Sequence, residues 1–383
     1  METSEALPGG AVSPSDLTDL VSSQGPFLTL VMTTESTVQN AAQRSDQRWR
    51  TLRSDLAENR DVPEDVLASV DPLIADAHLS GDGLVVIADA SGVRHLEHGP
   101  VPGPTDQAWW EPLPRLGTVI VWRQTEVPFV VALADRTGAT LYGFHHGAED
   151  RPDVERDVRG DADFPITKVG PGGWAQRRYQ ERAENTWEEN ATDVAEAVVA
   201  LAKRVGARLV LLAGDVRAVS LIQDSWPSGF DLPVEVVPGE RPWEGSGPTI
   251  PGEAQEVLDR FIERETRAIV ERFREESGQR DLAAQGATAT MAALSASQVA
   301  VLLLHEDEAD DATAWVGTDP VPLGASRAEL ESLGIDGAFE ARRVDALIRA
   351  AIGTSAGIRF VPAETGLADG VGALLRWSST PAS

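Results

Sequence analysis

The sequence predicts an α/β protein of three domains, and three observations carry that expectation. Short apolar runs bounded by glycine or aspartate alternate with stretches of helical periodicity. A Gly/Pro-rich segment, GERPWEGSGPTIPGE from Gly239 to Glu253, reads as a linker. At 383 residues, the chain exceeds the roughly 250 residues that one hydrophobic core organises. The expected domains are 1–123, 124–250 and 251–383.

In the first domain, helical patterning covers Ser36–Leu56 and Glu64–Ala77, and Leu84–Ala88 reads as a buried strand. A second apolar run, Thr118–Trp122, closes the unit. Between them the prolines of VPGPTDQAWWEPLP argue against regular structure, with Trp109 and Trp110 anchoring a loop on the core. The second domain opens with a hairpin, PFVVALADRTGATLYGFHHG, turning at Asp135–Gly138. An acidic loop, Glu149–Asp163, comes next. A helix follows from Ala175 to about Val205, with Trp187, Ala191, Val194, Val198, Leu201 and Val205 on one face. At 1.5 Å per residue it is on the order of 45 Å long, more than a domain of this size covers, so one end is expected to project. Strands at Arg208–Ala213 and Val234–Val237, with Asp215 as a helix N-cap, complete the unit. The third domain shows helices at Glu253–Glu276, Gly286–Leu294 and Glu340–Ile352, strands at Val299–Leu304 and Ile358–Val361, and an acidic loop at Glu306–Asp311.

Composition removes several function classes. Against 33 Lys+Arg stand 61 Asp+Glu, a formal net charge of -28, which argues against a protein that coats nucleic acid or anionic membrane. There is no Cys, hence no disulfide, thiolate metal site or thiol nucleophile. The start METSEALPGG lacks the basic and apolar regions of a signal peptide, and no apolar run approaches the length of a membrane helix, so a cytoplasmic chain with no membrane partner is expected.

Most local motifs read as structure. GTSAG, Gly353–Gly357, matches a nucleophile-elbow pattern, but a helix precedes it and a strand follows, the reverse of what an elbow requires. His95 with His98, or His145 with His146, lacks a third ligand at suitable spacing, so no metal site is expected. His305–Asp311 is acidic but lacks the glycine and alternating oxygens of a calcium loop. Neither GxxxxGK[ST] nor GxGxxG occurs, and no cofactor is expected.

One segment differs. After a loop dense in acids, FPITKVGPGGWAQRRYQ (Phe164–Gln180) contains none; it carries Lys168, Arg177 and Arg178 beside the rings of Trp174 and Tyr179. Cations that neutralise phosphate next to rings that stack on bases suit looped or single-stranded RNA. Gly170, Gly172 and Gly173 permit close backbone approach to a ligand. The same residues also suit a structural loop before a helix, with Trp174 packed as a staple and the arginines paired with Glu181 and Glu184.

GPGGWAQRRYQERAENTWEENA, followed by RLVLLAGDVRAV and later by DALIRAAIGTSAGIRFVP and GLADGVGALLRW, resembles the bacterial relatives of archaeo-eukaryotic translation release factors. That group includes actinobacterial Balon-type ribosome hibernation factors and is related to Vms-type peptidyl-tRNA hydrolases. The resemblance implies three α/β domains, the central one with a mixed sheet and a long helix bearing a Gly-Gly loop at its tip. In release factors that loop is Gly-Gly-Gln and reaches the peptidyl-transferase centre. Gly172 and Gly173 match its glycines; Gln176 is the nearest glutamine, with Trp174 and Ala175 intervening, and Gln180 lies one helical turn later. The implied partners are the ribosome at its A site, the elongation factor EF-Tu for delivery, and peptidyl-tRNA. Two roles follow from the resemblance: occupancy of the A site of an idle ribosome through Lys168, Trp174, Arg177, Arg178, Tyr179 and Gln180, or peptidyl-tRNA hydrolysis with Gln176 placing water.

Overall fold

The computed structural model describes residues 10–34, 41–76, 83–100, 106–135, 137–145, 152–159, 174–239, 254–279, 282–305 and 311–378, with the backbone alone at 41, 75–76, 159 and 174–187. Its first part holds α1 (Thr18–Ser22), β1 (Phe27–Thr33), α2 (Ala41–Asn59), α3 (Glu64–Asp76), β2 (Gly83–Asp89), β3 (Gly92–Gly99), β4 (Gln107–Glu111) and α4 (Gly117–Thr125). Then come β5 (Phe129–Asp135), β6 (Gly138–Phe144), β7 (Val154–Arg159), α5 (Trp174–Val205), β8 (Leu209–Gly214), α6 (Val216–Asp224), β9 (Val234–Val236) and α7 (Ala254–Gln279). The last part holds β10 (Ala283–Gln285), α8 (Ala287–Ser295), β11 (Val299–His305), β12 (Thr313–Val316), β13 (Leu323–Gly324), α9 (Arg327–Ser332), β14 (Phe339–Arg342), α10 (Arg343–Gly353), β15 (Gly357–Val361) and β16 (Val371–Leu375). The α/β class read from the sequence is the observed one.

Packing groups residues 1–124 with 265–383 in one compact unit and makes 125–264 a second. Among the described residues the first unit contains three sheets, ordered β3-β2-β1-β4, β10-β16-β11-β15 and β13-β12-β14. Strand alternation explains why its two chain segments stay together. On the β3-β2-β1-β4 sheet, Leu28, Leu30, Met32, Leu84 and Val86 face Trp49, Leu56, Leu67 and Val70 of α2 and α3. The other face, Phe27, Val31, Val85 and Ile87, shares a core with Leu302, Leu304 and Ile358 and with Leu347 and Ile348 of α10. Neither segment buries its sheet alone.

Three local expectations are corrected. Thr118–Trp122 lies in the helix α4, because Leu116, Val119 and Ile120 recur at helical spacing on the buried side; that burial overrides the strand preference of a β-branched run. QAWWE is the strand β4, paired with β1 from Phe27↔Glu111 to Val31↔Gln107. Its Trp109 and Trp110 alternate, one packing on each of the two cores that flank the sheet. Within the acidic stretch, Val154–Arg159 forms β7, an edge strand on β6. Val154 and Val158 reach the core, while Glu155 and Asp157 are exposed, as charges on an edge strand commonly are. The helix expected from Glu340 begins at Arg343, after β14. Glu306–Asp310 and the 240–253 linker lie outside the described residues.

At the end of α4, the buried Gln124 makes a two-way bond to strand β15: Phe360 N donates to its Oε1 at 2.9 Å, and its Nε2 donates to Phe360 O at 3.3 Å. This side chain satisfies two backbone groups that would otherwise be buried without partners. Gln124→Ala is expected to lower the unfolding free energy by about 2–6 kcal/mol in equilibrium urea denaturation, since each of the two orphaned groups costs about 1–3 kcal/mol. An unchanged denaturation midpoint and slope would contradict this role.

Candidate functional site

The candidate segment begins α5, so what seats α5 comes first. The unit 125–264 is built on a mixed sheet of order β7-β6-β5-β8-β9, in which β5, β8 and β9 pair in parallel, β6 pairs antiparallel with β5, and β7 pairs antiparallel with β6. Its central strands are apolar on both faces. Val130, Ala132, Val210 and Leu212 point to α5 and α6; Phe129, Val131, Leu209 and Leu211 point to Val257, Leu258 and Phe261 of α7. Phe129 and Phe144 stack at 4.5 Å on the α7 side.

On α5, the buried stripe runs through Ala191, Val194, Ala195, Val198, Leu201, Ala202 and Val205. It lies close against β6 because position 143 is glycine: a Cβ there would stand 2.8 Å from Val205 Cγ1 and 3.1 Å from Leu201 Cδ1. Beyond β8 the chain turns at Gly214, whose φ is +126° and where a Cβ would sit 1.8 Å from Ala134 O, so only glycine fits. Asp215 is the N-cap of α6, as expected, accepting from Arg217 N and Ala218 N at 3.0 and 3.2 Å.

Trp174 is the first residue of the 32-residue α5, and Gln176, Arg177, Arg178, Tyr179 and Gln180 follow within its first two turns. Lys168, Gly172 and Gly173 lie outside the described residues. At 3.6 residues per turn, the backbone positions of 176 and 180 fall in line with the stripe that packs on the sheet further along, whereas 174 and 178 fall on the opposite side. No acidic residue occupies the first turn. The amino end of a helix carries partial positive charge and N–H groups without intrahelical acceptors, which favours anions such as phosphate. The arrangement therefore joins a positive helix end to two arginines.

The other motifs resolve as structure. His95 and His98 stand an odd number of residues apart on β3, hence on opposite faces, and cannot converge on one ion. His95 Nε2 lies 2.9 Å from Glu97, and burial pushes the His98 imidazole below its usual range. His145 pairs with Asp153 at 3.1 Å; His146 is not among the described residues. No group of three or more His, Cys, Asp or Glu that could hold a metal occurs among the described residues. GTSAG is a helix-to-strand turn, with Ser355 in the left-handed region at φ +55°. No described helix is long and apolar enough to cross a membrane.

Residues 128–279 match the family model for bacterial archaeo-eukaryotic release factor family 2. Among solved structures, the chain is similar to the archaeal translation termination factor aRF1, at 14% identity over 96% of this chain and 99% of that one, TM-score 0.22. It is also similar to archaeal Pelota, from a model of ribosome-bound Pelota and ABCE1, at 14% identity over 97% and 96%, TM-score 0.39. Dom34 of S. cerevisiae matches at 7% identity over 93% and 97%, TM-score 0.39. No curated protein matches the chain.

Gly143 was not singled out in the sequence, although a glycine inside an apolar strand is a signal of close approach. Gly143→Ala is expected to cost about 1–3 kcal/mol, as overpacking does, and to speed amide exchange in residues 190–205. Exchange rates unchanged in that stretch would show that the approach of α5 does not depend on this glycine.

Proposed function

We propose that this chain is a ribosome-binding translation factor that occupies the A site of idle ribosomes, a hibernation role, with Gly172–Gln180 near the peptidyl-transferase centre. The observation that supports this most is the position of the acid-free segment. It leads directly into the amino end of α5, inside the stretch that matches the release-factor family. Lys168, Arg177 and Arg178 would neutralise phosphates, Trp174 and Tyr179 would stack on exposed bases, and Gln180 would hydrogen-bond to RNA. Delivery by EF-Tu belongs to the same proposal.

A second reading, peptidyl-tRNA hydrolysis, rests on Gln176. In it, Gly172 and Gly173 shape the turn and the glutamine orients water at the ester carbonyl, a matter of positioning and electrostatics. Against it stands the helix boundary: α5 already begins at Trp174, so Gln176 is held in a helical turn and not in the loop directly after the glycines. A displacement of about 1 Å can cost on the order of a hundredfold in rate. Occupancy is therefore preferred.

Both readings are separated by incubating the purified chain with ribosomes, vacant or carrying peptidyl-tRNA, and measuring co-sedimentation and peptide release together. The expected result is retention on vacant ribosomes without release, which Gln176→Ala leaves unchanged. Release abolished by Gln176→Ala with binding intact would establish the hydrolase instead, and neither retention nor release would refute both. Arg177→Glu with Arg178→Glu is expected to weaken retention and to lower the slope of log affinity against log salt by about 1–2, since each phosphate contact contributes about 0.7–0.9.

A further inference from the structure

One carboxylate is buried in the seam where chain segments 1–124 and 265–383 meet. Asp345, in the first turn of α10, is 3% exposed, and both of its oxygens are sealed from solvent without a close hydrogen bond. It is paired with Arg342, whose guanidinium stands 3.6 Å from Oδ1, a separation that gives attraction without a short bond. Charged groups of both segments surround the pair. Glu340 and Arg342 belong to β14 and Asp311 precedes β12, while Glu111 ends β4 and Arg115 follows it.

The neighbouring cations serve other acceptors. Arg115 makes a bidentate pair with Glu111, at 2.9 and 2.6 Å, and lies 4.3 Å over the ring of Trp109. Arg343 donates to Asp369 O at 3.0 Å, and Arg349, one turn further along α10 than Asp345, donates to the carbonyls of Val21, Gly317, Thr318 and Asp319. One ion pair at this separation does not offset the removal of a carboxylate from water, so burial favours the protonated acid. The carboxyl is accordingly pushed up to about 7: burial is the largest cause, Arg342 and then Arg115 oppose it, and Glu111 adds to it.

We propose that Asp345 is a pH-sensitive lock on this seam, which holds the two segments together more firmly with its proton than without it. In the unfolded chain the same acid ionises near about 3.9. Between that value and about 7 the folded chain keeps a proton that the unfolded chain has released, so stability falls as pH rises through this window and levels off above it. Each pH unit inside the window changes the folding equilibrium about tenfold. The upper end lies at neutrality, so mild acidification tightens the seam and a return to neutral pH loosens it.

The test compares the full-length chain with Asp345→Asn, which keeps the side-chain shape and cannot ionise, by amide hydrogen exchange of β4 and α10 at matched pH, where intrinsic exchange rates cancel. The wild type is expected to exchange faster than the variant by a ratio that grows about 50- to 100-fold from pH 5 to pH 8, with most of the growth below pH 7. Arg342→Gln removes the paired cation and is expected to move the upper end of the window to higher pH, so that its exchange relative to the wild type climbs only above about pH 7. This second variant carries the test if Asp345→Asn does not fold. A merely structural role for either side chain changes exchange by the same factor at every pH, and such a constant ratio in either variant would overturn the proposal.

Discussion

The structure around the candidate site depends on one constraint, the burial of the β7-β6-β5-β8-β9 sheet on both faces. A sheet whose central strands carry Val130, Ala132 and Leu212 on one side and Phe129, Val131 and Leu211 on the other cannot leave either side in water. One face therefore calls for α5 and α6, and the other for the first half of α7. The stripe from Ala191 to Val205 meets this demand for α5, and Gly143 permits the close approach that the stripe requires. With that part of the helix fixed, the rotational phase of α5 is fixed as well, because a helix is a rigid register of 3.6 residues per turn. The backbone positions of Trp174, Gln176, Arg177 and Arg178 are thus set by packing more than ten residues away. Direction is set by the same means: α5 runs from Trp174 toward β8, so its positive end is the one that follows Gly172 and Gly173 in the chain.

The legible parts of the sequence were those in which one periodicity coincided with one burial pattern. The hairpin β5–β6, the long α5 and strands β2, β8, β11 and β15 each combine an apolar run of suitable length with clear bounds, and the N-cap Asp215 has a single oxygen positioned for Arg217 N and Ala218 N. Parts that depend on remote partners were not legible. The run TVIVW favours a strand locally, and becomes helical only because Leu116, Val119 and Ile120 together face a core to which residues beyond 290 contribute. QAWWE is short and flanked by prolines, and needs the edge of β1 to become a strand. Strand β7 was hidden by its acids, which an edge tolerates on its solvent side. The candidate loop itself stood out by composition, the abrupt loss of acids at Phe164, which is a property of the chain and needs no fold to be seen.

The division into chain segments was the other matter that local reading does not reach. Residues 1–124 and 265–383 are separated by an entire unit in sequence, yet share a core. Two buried arginines reinforce the connection with hydrogen bonds that no periodicity announces. Arg349 of α10 donates to the carbonyls of Val21, Gly317, Thr318 and Asp319. Arg359 of β15 donates to Gly10 O at 2.8 Å and Thr266 Oγ1 at 2.5 Å. The acceptors of Arg349 are backbone carbonyls, and those of Arg359 include a backbone carbonyl and a hydroxyl. A planar guanidinium with five donors can satisfy several carbonyls at once from one point, which a lysine cannot do. The charge remains and is desolvated, and burial accordingly lowers the pKa of Arg349. These arginines hold together segments hundreds of residues apart, so they act on the architecture and not on the site.

Net charge, the first property to suggest a function class, also changes meaning once the local placement is considered. A total of -28 argues against a chain that adheres to any polyanion, because the summed field repels it at a distance. At physiological ionic strength, however, screening limits that field to about 8 Å. The first two turns of α5 extend about 10 Å along the helix axis, so charges there act on a nearby phosphate largely on their own account. In that interval the sequence provides Arg177 and Arg178 and no acid, on a helix end that is itself positive. The two properties are compatible. On the proposed role, a strongly acidic remainder would discourage nonspecific encounters with RNA, while the basic start of α5 would keep its attraction wherever it comes within a few ångströms of phosphate. Affinity that arises only after such an approach depends on the fit of a cavity more than on charge, which is the discrimination the proposed role would require.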